Sequence, residues 1–231
     1  MSLAYFCISA LDILNQLHDV SPSIEWILAQ QVQTRTGRGG FRGGSFAGAS
    51  FSHSLLSSDD YDVPHIAMTY CALCCLLILG DDLKSININA ILKELKSLQL
   101  STGSFRPCAF TQENDLRFLF CACAISYILD DWSGVDTDLA LKYIHSSKNY
   151  DGGYGQGPYQ ESHGGSTYCA IASLHLLGQL DLASHSDTIF WLLKRQKSGF
   201  QGRVNKPEDT CYSFWIGASL DVIFISSYCR Y

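Results

Sequence analysis

Charge is scarce in this sequence, and what charge there is leans acidic. Only 16% of the residues are Asp, Glu, Lys or Arg, and the formal net charge is −6. That balance excludes a surface built mainly to grip nucleic-acid phosphates, so any anion site must be a local set of cations. No apolar run reaches the roughly 18 residues needed to cross a bilayer. The opening stretch, MSLAYFCISALDIL, lacks a basic flank and a small-residue cleavage site, so it reads as a core helix rather than a leader. The pattern of a disordered chain or a coiled coil is missing too, and 47% hydrophobic residues provide for a large globular core.

Cysteine, by contrast, is plentiful. Of the ten, Cys7, Cys71, Cys74, Cys75, Cys121, Cys123 and Cys169 lie in apolar, helix-like runs, where cysteine behaves as a small hydrophobe. Reduced thiols and a reducing compartment follow as the expectation.

Internal repetition is the strongest organising signal. Glycine-aromatic turns recur at Gly39 to Phe41, Gly103 to Phe105, Gly152 to Tyr154, and Gly199 with Phe200. Each follows a segment with one apolar and one charged face (IEWILAQQ, AILKELKSLQ, LALKYIHSS, TIFWLLKRQ). Each precedes a segment apolar nearly all round (HIAMTYCALCCLLIL, DLRFLFCACAISYIL, HGGSTYCAIASLHLL, DTCYSFWIGASL). Aligned on Tyr70, Phe120, Tyr168 and Phe214, the second segments repeat at 50, 48 and 46 residues. The unit is a helical hairpin, the first helix outer and the second buried, and such hairpins stack into a solenoid or close into an all-α, α/α toroid.

The alignment places His65, Asp115, His163 and Asp209 at one position, and two residues later Ala67, Arg117, Gly165 and Cys211. Both fall where buried helices begin. Helix N-termini offer unpaired N–H groups that suit phosphate. Capping is the ordinary use of Asp or His there, yet the chemical variety of this set exceeds what capping needs. The densest segment is GFQGRVNKPEDTCYSFW. Arg203 and Lys206 offer cations for phosphate oxygens, and Asp209 with Cys211 offers a carboxylate and a thiol to one zinc ion, which accepts that mixture. The competing reading is a basic surface turn with a capping Asp and a buried Cys. In HGGSTYC, Gly164 and Gly165 after His163 leave room for a ligand beside a helix start.

YDVPHIAMTYCALCCLLILGDDL, ENDLRFLFCACAISYILDDWSGVD, ESHGGSTYCAIASL and NKPEDTCYSFWIGASL, taken in order from about Leu3 to Leu220, resemble the β-subunits of protein geranylgeranyltransferase type I, within the protein prenyltransferase β-subunit family. The resemblance implies an α/α toroid paired with an α-subunit, a cytoplasmic location, and transfer of geranylgeranyl from its diphosphate to the cysteine of a C-terminal CaaX sequence. It implies zinc held by Asp209 and Cys211, and a diphosphate site of His163, Gly164, Gly165, Arg203, Lys206 and Tyr212, with Tyr212 also at the reacting centre. It implies Arg117 near the acceptor peptide's C-terminal end and Ser2 where a small residue makes room for the longer lipid.

One toroid domain is expected over 1–220, with a divergent tail over 221–231 that does not resemble the family's continuation. The family's third zinc ligand is a histidine in a later repeat, and it is missing from the tail. The expectation is a weak two-ligand zinc site in a chain shorter than the family at both ends, so that binding of α-subunit or lipid without turnover is the alternative function. His53, His65, His145, His175 and His185 are discounted as substitutes: His175 reads as a satisfied core residue, and His145 and His185 fall on outer or loop segments. A terpene cyclase can share such a toroid, and one of the protonating class would need an acidic motif in the cavity. Gly80 to Asp82 and Leu129 to Trp132 instead fall at helix C-termini and read as solvated loops.

Overall fold

The computed structural model describes residues 1–18, 20–45 and 62–228, with side chains through 225. His53 lies outside the described residues. The chain divides into two compact units, the first made of Met1–Gln99, Arg106–Glu113 and Ala124–Val135, the second of Leu100–Phe105, Asn114–Cys123 and everything from Asp136 on.

The first unit holds helices α1 (Ser2–Ile13), α2 (Ser21–Leu28), α3 (Ile66–Ile78) and α4 (Ile88–Leu98), and a short hairpin of β1 (Gln31–Gln33) and β2 (Gly39–Phe41). The strands pair antiparallel with Val32 opposite Gly40. An all-helical reading does not foresee them, because three residues are too few to show a period-2 pattern. In α4, Ala90, Ile91, Leu95 and Leu98 are buried while Lys93 and Lys96 face water, as the alternation of faces predicts.

The expected core helix at the start of the chain is corrected. In α1 only Ile8 is buried, while Leu3, Phe6 and Ile13 are 78%, 64% and 79% exposed. One face packs on α3, through the Tyr5–Tyr70 ring contact and the approach of Ser2 Oγ to Met68 Sδ at 3.6 Å. The other faces meet no described residue that buries them. Cys7 is therefore exposed, unlike the buried Cys71 and Cys75.

The second unit carries α6 (Thr137–Ser146), α7 (Gly164–Leu176), a 3₁₀ turn (Ala183–His185), α8 (Ser186–Leu193) and α9 (Cys211–Tyr228), together with the first half of α5 (Leu116–Ile128). α9 runs through residue 220 without a break. Cys123 and Cys169 are buried, and burial pushes both thiols up to about 12, so they stay protonated and inert. The nine cysteines described are all unbridged.

The glycine-aromatic turns are structural plugs. Phe41, Phe105 and Tyr154 are fully buried, each within its own unit. The backbone N–H of Phe41 donates to Thr69 Oγ1 and that of Tyr154 to Thr167 Oγ1, both at 3.0 Å. Those threonines directly precede the repeat aromatics Tyr70 and Tyr168. Gly103 and Gly152 hold φ near +95° and +94°, a conformation that costs glycine least, and each lies against a backbone carbonyl, of Leu139 and Asp187 respectively.

Candidate functional site

The four aligned helix-start residues share one local geometry. His65 Nδ1 accepts from Ala67 N–H at 3.2 Å, Asp115 Oδ1 from Arg117 at 2.8 Å, His163 Nδ1 from Gly165 at 3.0 Å, and Asp209 Oδ1 from Cys211 at 2.9 Å. At three of the four starts the first N–H group is occupied as well. Ile66 donates to Pro107 O at 2.8 Å, Leu116 to Gln156 O at 2.9 Å and Gly164 to Gly202 O at 2.7 Å. In each case the acceptor lies in the loop of the next repeat. The expectation of unpaired N–H groups is corrected at those three starts: caps and the following loop take the groups that an anion would otherwise use.

What remains for chemistry in the second unit is a set of side chains around the starts of α7 and α9. Because His163 Nδ1 accepts a backbone hydrogen bond, the ring proton sits on Nε2, which donates to Tyr212 Oη at 3.0 Å. The two rings meet edge to face, with centroids 5.6 Å apart. Burial, with Arg203 adding to it, holds His163 below the ordinary imidazole range, while Glu161 opposes the shift. The imidazole is thus neutral at pH 7. Burial raises the Tyr212 hydroxyl, so it stays protonated.

The two glycines after His163 divide. A Cβ on Gly164 would crowd Ile216 and Tyr212 at 2.9 and 3.3 Å, whereas one on Gly165 would meet only the His163 ring at 3.3 Å. The space expected for a ligand at Gly164 is therefore already filled by α9, and its glycine serves close helix packing.

Arg203 and Lys206 lie in the loop ahead of α9, with Lys206 exposed. Arg203 Nη1 donates to Glu161 Oε2 at 2.6 Å. Glu161 carries no weight in the sequence reading, although it stands two residues before His163. Asp209 and Cys211 are both exposed. Hydrogen bonds from Cys211 pull the Asp209 carboxyl below its usual value, and the Cys211 thiol is pushed up, first by desolvation and then by that carboxylate. Among the described residues no group of three His, Cys, Asp or Glu stands close enough to hold a metal.

Arg117 lies on Asp115, Nη2 to Oδ2 at 2.6 Å with Nε near both oxygens, and its guanidinium sits 5.3 Å from the Phe118 centroid. Ser2 lies in the first unit. His175 is exposed at the last turn of α7, not in the core, because the helix ends there. His145 is exposed, whereas His185 is buried, with Nδ1 2.6 Å from Asp181 O and Nε2 3.3 Å from Tyr154 Oη. The paired aspartates behave as read: Asp81 and Asp131 accept from the N–H two residues on, in local turns past the ends of α3 and α5.

One turn along from the helix starts, the repeat aromatics touch. Phe120 and Tyr168 have centroids 5.6 Å apart, Tyr168 and Phe214 5.1 Å, and Trp215 lies 5.3 Å from Tyr168. Phe214 is 55% exposed. The strip is a half-open aromatic surface running from α5 across α7 to α9, all within the second unit.

Comparison with known proteins places this arrangement. The prenyltransferase α/α-toroid domain matches residues 1–230. The geranylgeranyl transferase type-1 β-subunit of Dictyostelium discoideum is 44% identical over 96% of the chain and that of Arabidopsis thaliana 43% over 96%; the chain spans 69% and 65% of their own lengths. A farnesyltransferase β-subunit from Schizosaccharomyces pombe is 33% identical over 98% of the chain and 56% of its own length. The solved structure of Candida albicans protein geranylgeranyltransferase-I complexed with GGPP superposes with a TM-score of 0.85 at 28% identity, covering 97% of this chain and 70% of that one. The chain belongs to the prenyltransferase α/α-toroid family, in the group of the geranylgeranyl transferase type-1 β-subunits.

Proposed function

We propose that the chain is the catalytic β-subunit of a cytoplasmic protein geranylgeranyltransferase, working in a heterodimer with a prenyltransferase α-subunit. It transfers the geranylgeranyl group from its diphosphate to the cysteine of a C-terminal CaaX sequence. The observation that carries the reading is one juxtaposition: neutral His163 and Tyr212 stand at the helix starts beside Asp209 and Cys211, Arg203 lies in the loop ahead of α9, and the aromatic strip leads away from them.

His163 Nε2–H, the Tyr212 hydroxyl, Arg203 and Lys206 are the donors for a diphosphate, and they stabilise the charge that grows on it as the carbon–oxygen bond breaks. The acceptor sulfur forms the new bond to carbon, and its proton goes to solvent. Phe120, Tyr168, Phe214 and Trp215 give the lipid chain an apolar surface. Gly165 keeps the α7 start open beside His163, and Arg117, half exposed on its Asp115 partner, binds the acceptor's terminal carboxylate.

Asp209 and Cys211 offer zinc one hard and one soft ligand side by side and open to solvent, two of the three protein ligands a catalytic zinc commonly takes. When bound, zinc supplies a site for the acceptor cysteine as thiolate. Prenyl transfer to a CaaX peptide ending in leucine, measured with the α-subunit present, tests the reading. Cys211→Ala is expected to lose both bound zinc and turnover. Lipid or α-subunit binding without any transfer would replace catalysis by a binding role, and hydrocarbon made without a peptide would mark a cyclase.

A further inference from the structure

The diphosphate reading assigns Arg203 to an anion, yet in this structure its guanidinium is bonded to a carboxylate. Nη1 meets Glu161 Oε2 at 2.6 Å, across 42 residues of sequence. Both side chains are about half exposed, 41% for Arg203 and 57% for Glu161, so the pair is weak and exchanges readily. The two loops do not depend on it. Gly164 N–H holds Gly202 O at 2.7 Å, and His163 holds Tyr212 at 3.0 Å. A contact that is dispensable for docking but placed on a substrate cation acts on ligand balance.

We propose that Glu161 is the counter-ion of the diphosphate site: it orients Arg203 while the site is empty and opposes retention of the diphosphate product, so that release is not stalled. This rests on the diphosphate reading of Arg203. Arg carries five N–H donors and Glu161 occupies one group of them, which leaves the rest of the fork for phosphate oxygens. An arriving diphosphate brings several negative charges beside a carboxylate that cannot withdraw far, being two residues from the His163 cap. The opposite effects of Arg203 and Glu161 on His163 show that both charges are felt at the same imidazole.

Glu161→Gln separates orientation from charge, since the amide oxygen still accepts from Nη1 while the opposing charge is gone. In the heterodimer, inorganic pyrophosphate should bind this variant about five-fold more tightly, equivalent to roughly 1 kcal/mol, and inhibit the reaction correspondingly more. The gain should shrink at high salt, because both groups are exposed, and Glu161→Asp should restore the wild-type affinity. In an Arg203→Gln background the same change should have much less effect. Unchanged or weaker pyrophosphate binding in Glu161→Gln, or an equal gain without Arg203, would overturn the inference while leaving the diphosphate reading in place. Unchanged binding in Arg203→Gln alone would remove that reading and the inference with it.

Discussion

Replacing Gly202 by alanine tests whether the His163–Tyr212 contact is built by backbone packing. Gly202 is buried, its carbonyl accepts the first N–H of α7, and a Cβ there would overlap the Tyr212 ring and hydroxyl. Tyr212 is only half-buried, so its ring can swing outward rather than force the loop apart. The stability cost is then that of local overpacking, about 1–3 kcal/mol, a fall in Tm of roughly 3–10 °C for a chain of this size. The larger effect is on turnover. Once the ring leaves, His163 Nε2 loses its partner at 3.0 Å, and misplacement by about 1 Å costs on the order of 100-fold in rate. Thermal unfolding and prenyl transfer, both measured with the α-subunit, read the two effects. Gly217→Ala on α9 is the control: a Cβ there meets nothing within 4 Å, and the change should stabilise by up to about 1 kcal/mol. In a Tyr212→Ala background, Gly202→Ala should cost nothing further. If it destabilises equally with and without the Tyr212 ring, the packing argument is wrong.

Two other measurements address stability. Burial is the first cause that lowers His65, His163 and His185 below the ordinary imidazole value, so the unfolded chain binds more protons than the folded one below about pH 6.5. Their contribution is complete above that pH and is lost as pH falls toward the folded values; Tm should drop from pH 7.5 to 5.5, and His185→Gln should flatten that drop, while a pH-independent Tm would contradict the sign. Arg42 and Asp62, 4% and 1% exposed, form an ion pair supported by Gln30 Oε1 at 3.1 Å from Arg42 Nε; Asp62→Ala should cost about 3–5 kcal/mol in denaturant unfolding by stranding the guanidinium, and Arg42→Met with Asp62→Leu should recover most of it.

The helices were legible because their two patterns differ. The run from Ile66 to Ile78 is apolar all round and the run from Ile88 to Leu98 is not, and the structure keeps the first as α3 and the second as the amphipathic α4. The exposure of α1 was illegible for the same reason that made its helix obvious. Apolar periodicity reports a helix that has something to pack against, and it does not report what supplies the other side.

The site divides along a similar line. His163, Asp209 and Cys211 could be singled out as candidates because repetition aligns them, and the caps that His163 and Asp209 make are local, closed within two residues. The partners that give them chemistry are not local. Tyr212 reaches His163 across 49 residues and Glu161 reaches Arg203 across 42, and each connection depends on Gly164 and Gly202 letting α7 and the loop ahead of α9 approach. Gly164 looks, in sequence, like space left for a ligand. The missing side chains of Gly164 and Gly202 instead bring two helix starts together, and the polar side chains at the rim of that contact are the ones left facing solvent. The same close approach that occupies the first N–H of α7 sets the imidazole against the phenol, with the guanidinium in the adjoining loop, so the polar groups left open at this rim are side chains rather than the helix end.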